Sequence, residues 1–114
     1  MPPSVVVVIR ENPLKTHRAV EALRIALGLG AGENPLTVVL VGQAPLLLTD
    51  DPDDIVDQDI LEKYLPSFQQ LKIPFLIPEG GRRKFEIDPA FEVREASSVE
   101  IAELIALSDR TLAF

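Results

Sequence analysis

The chain has 114 residues, no cysteine, one histidine and 46% hydrophobic residues. That fits one domain over residues 1–114, and it excludes a multidomain enzyme, disulfides, thiolate nucleophiles and cysteine-ligated metals. Eighteen acidic residues against eleven basic ones give a formal charge of -7, which argues against a surface built to hold nucleic-acid phosphate.

Val5-Val6-Val7-Val8-Ile9 is a continuous β-branched run, as expected of a strand buried on both faces of a parallel sheet. It follows no basic segment and falls far short of the roughly 20 apolar residues that cross a membrane. Neither a signal peptide nor a membrane span is expected, and a cytoplasmic protein is the default. Asn12-Pro13 then reads as a cap followed by a first helical residue, which predicts a helix from about Pro13 to Leu29. Its polar stripe, His17, Glu21, Arg24 and Gly28, is narrow, so more than one side of the helix should be covered, by another subunit or by this chain's own core. Gly30-Ala31-Gly32 ends it, and Leu36 to Val41 is a second buried strand.

Ala44-Pro45-Leu46-Leu47-Leu48 predicts a short helix or turn. The acidic run Asp50, Asp51, Asp53, Asp54, Asp57 and Asp59 lacks the alternating ligands and closing glutamate of a calcium loop. It reads instead as charge complementing the amino end of a second long helix, about Ile55 to Leu71. The apolar stripe of that helix is Ile60, Leu61, Tyr64, Leu65, Phe68 and Leu71, and Pro66 interrupts it. Ile73 to Ile77 is a third strand, with Pro74 near its start because proline cannot donate to a ladder. Phe91 to Arg94 is a fourth, and Thr111 to Phe114 a closing fifth. Between the last two, Ser97 and Glu100 have the spacing of a capping box for a helix reaching Leu107, with Val99, Ala102, Ile105 and Ala106 as its expected core face. Strands alternating with helices predict a three-layer α/β/α sandwich around a mainly parallel five-stranded sheet.

One stretch is strongly basic: Arg82-Arg83-Lys84 follows Gly80-Gly81 after the third strand. Open α/β sheets bind ligands at the carboxyl ends of their strands, and glycines let backbone amides approach an anion. Arg10, Asn12, Lys15 and His17, around the amino end of the first helix, are candidates for the same site, since a bound anion would offset positive charge there. Gly80, Gly81, Arg82 and Arg83 complete this candidate anion or nucleotide site. No serine lies in a GxSxG elbow, and Gly28 to Gly32 ends a helix where a phosphate loop would precede one. No catalytic residue, metal ligand or cofactor is assigned.

The order of features resembles the DsrE/DsrF-like family, most closely its TusC/DsrF-type sulfur-relay subunits. The matching pieces are Arg18-Ala19-Val20-Glu21-Ala22-Leu23, Val39-Leu40-Val41-Gly42, Leu46-Leu47-Leu48, and an ending that runs Ile87-Asp88-Pro89, Val93, Glu95-Ala96-Ser97, Asp109 and Leu112-Ala113-Phe114. The resemblance implies homo-oligomers or hetero-oligomers with DsrE/F-like paralogues, and the surplus apolar residues Leu46, Leu47 and Leu48 are the expected interface. It also implies a persulfide-carrying cysteine after the third strand. The corresponding segment here, Ile77 to Arg83, has none. Sulfur relay requires an ionised thiol, so the expected role is that of a non-catalytic structural or regulatory subunit. An anion-binding module is the alternative.

Overall fold

The computed structural model describes residues 3–32, 34–49 and 55–114. Five strands form one sheet: β1 (Val5–Ile9), β2 (Leu36–Leu40), β3 (Phe75–Pro78), β4 (Val93–Ala96) and β5 (Arg110–Ala113). Their order is β4-β3-β2-β1-β5, and every pairing is parallel. The helices are α1 (Arg18–Gly30), α2 (Gln58–Leu71), the single turn α3 (Gly81–Lys84) and α4 (Ser98–Leu107), with a 3-10 turn at Ala44–Leu48. This is the expected α/β sandwich.

β1 sits inside the sheet, and all five of its residues are buried. Its odd-numbered residues, Val5, Val7 and Ile9, join Val38, Leu40, Phe75 and Ile77 in a core beneath α1, α2 and the 3-10 turn. Val6 and Val8 face the other way and join Val39, Leu76 and Ala96 beneath α4. A continuous apolar run is therefore required, because alternation would place polar groups in one of two cores. The chain advances from β1 to β4 in one direction and then returns past β1 to place β5 on its far side. Right-handed crossovers send a returning connection over the opposite face, so α4 covers that face alone.

The two cores differ in completeness. α1 buries Ala19, Val20, Ala22, Leu23 and Ala26, and α2 packs alongside it. The narrow polar stripe of α1 is thus explained by this chain's own second helix. α4 buries no residue completely. Its core face is Ile101, Leu104 and Ile105; of the expected Val99, Ala102, Ile105 and Ala106 only Ile105 belongs to it, since Val99 is 64% exposed, and Ala102 and Ala106 are exposed too. A helix is about 10 Å across, whereas five strands span about 19 Å. Open apolar grooves flank α4 as a result. One of about 350 Å³ is lined by Thr37, Phe75, Leu76 and Leu104, and one of about 310 Å³ by Val41, Ala96, Ile101 and Ile105.

Several boundaries move. α1 begins five residues after Pro13, because Asn12 closes a local turn instead of capping the helix. Its side-chain oxygen accepts from the Leu14 amide at 2.9 Å, and its carbonyl accepts from those of Lys15 and Thr16. α2 begins at Gln58, after Asp57 in the left-handed conformation (φ 62°). Of its expected stripe, Leu61 and Phe68 are buried and Tyr64 and Leu65 pack against the core, while Ile60 and Leu71 are exposed. Asp50, Asp51, Asp53 and Asp54 lie outside the described residues; Asp59 stands in the first turn of α2. The capping box at α4 forms as its spacing predicts, with Ser97 Oγ accepting from the Glu100 amide and the Glu100 carboxylate from the Ser97 amide, both at 3.1 Å.

Candidate functional site

β1 is the point at which the strand order reverses: its connection leads to β2 on one side, while β5 arrives on the other. Crevices at the carboxyl ends of such strands are where open α/β sheets place ligands. Here the Arg10 amide donates to the Phe114 carbonyl and the Phe114 amide to that of Val8, both at 2.8 Å. These two bonds lock the end of β5 to the end of β1. Beside them lies a cleft of about 370 Å³ lined by Arg10, Glu11, Arg18, Glu21, Ala113 and Phe114.

Its charges are nearly balanced. Arg18 approaches Glu11 at 3.9 Å, and Glu21 is paired with Arg24 at 2.8 Å. Arg10 has no ion-pair partner among the described residues, and it is exposed. One uncompensated guanidinium beside a second, loosely held one can take a small oxyanion in bidentate fashion. Thr16 Oγ1 accepts from the Arg18 amide at 3.2 Å, which fixes where α1 begins and so where Arg18 projects.

The expected site residues do not converge. Arg10 lines the cleft. Asn12 is occupied by its turn, Lys15 lies in that turn ahead of the helix, and His17 is the residue before α1 with no capping bond from its side chain. Lys15 therefore bears no macrodipole cost for a bound anion to offset, since the effect is confined to the helix's own first turn and α1 starts at Arg18. Gly80, Gly81, Arg82 and Arg83 sit at the end of β3, two strands or about 10 Å from β1. Arg82 points away from it and donates to the carbonyl of Val93 on β4. Gly80 adopts φ 84° in the turn, and a Cβ on Gly81 would lie 2.7 Å from Ile77 Cδ1. Both glycines answer to the backbone path. The Lys84 ammonium stands over the Phe85 ring at 5.3 Å.

The expected interface is also reassigned in part. Leu47 and Leu48 have no exposed surface and belong to the core under α1 and α2; Leu46 is half-buried. A Leu-rich turn after a buried strand is consumed by the domain itself. Glu11, Glu21, Ala113 and Phe114 were not singled out from the sequence as lining residues. Glu11 is the chain neighbour of Arg10 and Glu21 comes from α1, whereas Ala113 and Phe114 meet Arg10 only because β5 returns to pair with β1, and nothing local signals that strand order. Among the described residues no group of three or more His, Asp or Glu side chains is placed to hold a metal ion, and no helix is long and apolar enough to cross a membrane.

The all-parallel sheet in the order β4-β3-β2-β1-β5, with paired helices on one face and one on the other, is a three-layer α/β fold found among solved structures. Among solved structures, the crystal structure of the ychN protein from E. coli has this fold. It is 20% identical, the match covers 100% of both chains, and the TM-score is 0.77. At that identity the likeness is one of fold. No protein-family model and no curated protein matches the chain.

Proposed function

We propose that this chain is a non-catalytic DsrE/DsrF-like subunit of the TusC type, which works in an assembly with itself or with a cysteine-bearing paralogue and supports sulfur relay without carrying sulfur. The observation that carries this reading is the turn after β3. Where the resemblance places a persulfide-bearing thiol, Pro78-Glu79-Gly80-Gly81 offers none. Gly80 holds a conformation that side chains disfavour, and Gly81 is packed against the buried Ile77. Assembly is supported by apolar surface left outside both cores: Val99, Leu107 and Leu112 are exposed around α4 and β5. Sedimentation equilibrium of the purified chain over a range of concentrations tests the reading. Reversible association is expected, and a monomer at every concentration overturns it.

A second reading, a small oxyanion in the β1/β5 cleft, is favoured by Arg10, which has no ion-pair partner among the described residues, beside Arg18. Inorganic phosphate or a nucleotide should then raise the melting temperature, and Arg10→Ala should abolish that shift. An unchanged melting temperature at millimolar ligand would end this reading.

A further inference from the structure

The two edges of the sheet are finished differently. At β4 the Phe75 amide donates to the Glu92 carbonyl, so Glu92 and Arg94 turn toward β3 and Val93 turns outward. That outward carbonyl of Val93 is taken by the Arg82 guanidinium. At β5 the Arg110 amide donates to Ser4 and the Phe114 amide to Val8. The even-numbered residues thus face β1, and Thr111 and Ala113 present their amides and carbonyls outward. All four residues of β5 are exposed, and none of the side-chain hydrogen bonds among the described residues reaches an outward backbone group of β5. Natural sheets protect their edges with charge, proline or a covering segment. Arg110 is the one charge on this strand.

We infer that the β5 edge pairs with β5 of a second copy, antiparallel about a two-fold axis at Leu112, to give a continuous ten-stranded sheet. This rests on the assembly reading above and names its contact. The register follows from the strand itself. With Leu112 opposite its symmetry mate, Thr111 of each copy faces Ala113 of the other, and all the outward amides and carbonyls of those residues are bonded. Leu112 pairs with Val7, so it lies on the α1 side of the sheet, 38% exposed. In this register the two leucines form a non-hydrogen-bonded pair, the closer-packed kind. Charge selects the antiparallel sense. It carries each Arg110 to the partner's Phe114 and holds the two guanidinium groups about 14 Å apart, whereas a parallel pairing would set Arg110 against itself. A single strand buries less than the ~800 Å² per partner of a standard interface, so association through this contact alone is weak and reversible.

The absence of cysteine makes the test clean. Leu112→Cys introduces one thiol per chain, and its two copies, with Cα atoms about 4.5 Å apart, are within disulfide reach. Mild oxidation should convert this variant to a covalent dimer, while Arg110→Cys stays monomeric on the same gel. Ala113→Pro removes an outward amide but none that faces β1, and should weaken association about tenfold or more with an unchanged circular dichroism spectrum. Leu112→Lys, which places charge on the edge, should do the same if the proline variant fails to fold. Failure of Leu112→Cys to cross-link, cross-linking through Arg110→Cys instead, or undiminished association of both edge variants overturns the β5 contact while leaving the assembly reading intact. A wild-type chain that is monomeric at every concentration overturns both.

Discussion

At Gly81 the backbone passes so close to Ile77 that a single added carbon would meet Cδ1 at 2.7 Å and Cγ1 at 3.1 Å. Ile77 is fully buried and has little room to yield, so Gly81→Ala should destabilise the fold by about 1–3 kcal/mol, the usual cost of overpacking. Gly28 is the opposite case. It lies inside α1 with nothing within 4 Å of the added carbon, and Gly28→Ala should stabilise by about 0.5–1 kcal/mol through helix propensity. Urea titration of both variants checks the two signs against each other. In the sequence these glycines look alike, because each follows a turn or helix signal and neither reveals its neighbours. Gly80-Gly81 next to three basic residues reads as an anion loop for the same reason. The chemistry of the residues is visible, but that Arg82 is spent on the Val93 carbonyl is not.

Among the elements, α4 stands apart. It packs Ile101, Leu104 and Ile105 on the smaller core, buries no residue completely, and owes its start to the reciprocal bonds between Ser97 and Glu100. Ser97→Ala should therefore cost about 1 kcal/mol. Amide hydrogen exchange should show α4 opening well below the global unfolding energy, whereas β1, enclosed by both cores, exchanges only on global unfolding. Equal protection of α4 and β1 would contradict this ordering. The capping box was legible because it is a local pattern four residues long. The core face of α4 was not, since its composition is apolar nearly all round and the sheet beneath decides which side is used. α1 shows the converse: Asn12-Pro13 has the form of a helix start, yet the Asn12 side chain bonds two residues ahead and delays the helix to Arg18.

At the scale of the whole molecule, the dominant feature is unequal cover. Two helices and a 3-10 turn close one face of the sheet, and one ten-residue helix lies across the other. The apolar grooves beside α4 and the exposed β5 edge both follow from the single reversal in strand order. If association covers part of this surface, the melting temperature should rise with protein concentration, because binding to the folded state adds to its stability by mass action. A melting temperature independent of concentration from micromolar to millimolar would exclude a stabilising self-association. Calorimetry at several concentrations decides between them.

The sequence by itself determined the five strands, the three longer helices and the parallel class, though not the helical turn α3, because a β-branched run buried on both faces and a regular strand-helix alternation leave few other solutions. It also determined that no thiol chemistry resides in these 114 residues. Only the tertiary structure decided which residues share a site. Arg10 meets Phe114, Arg82 meets Val93, and Leu47 and Leu48 enter the core because of strand order and crossover direction. Those are contacts between segments far apart in the chain, and short-range patterning does not encode them.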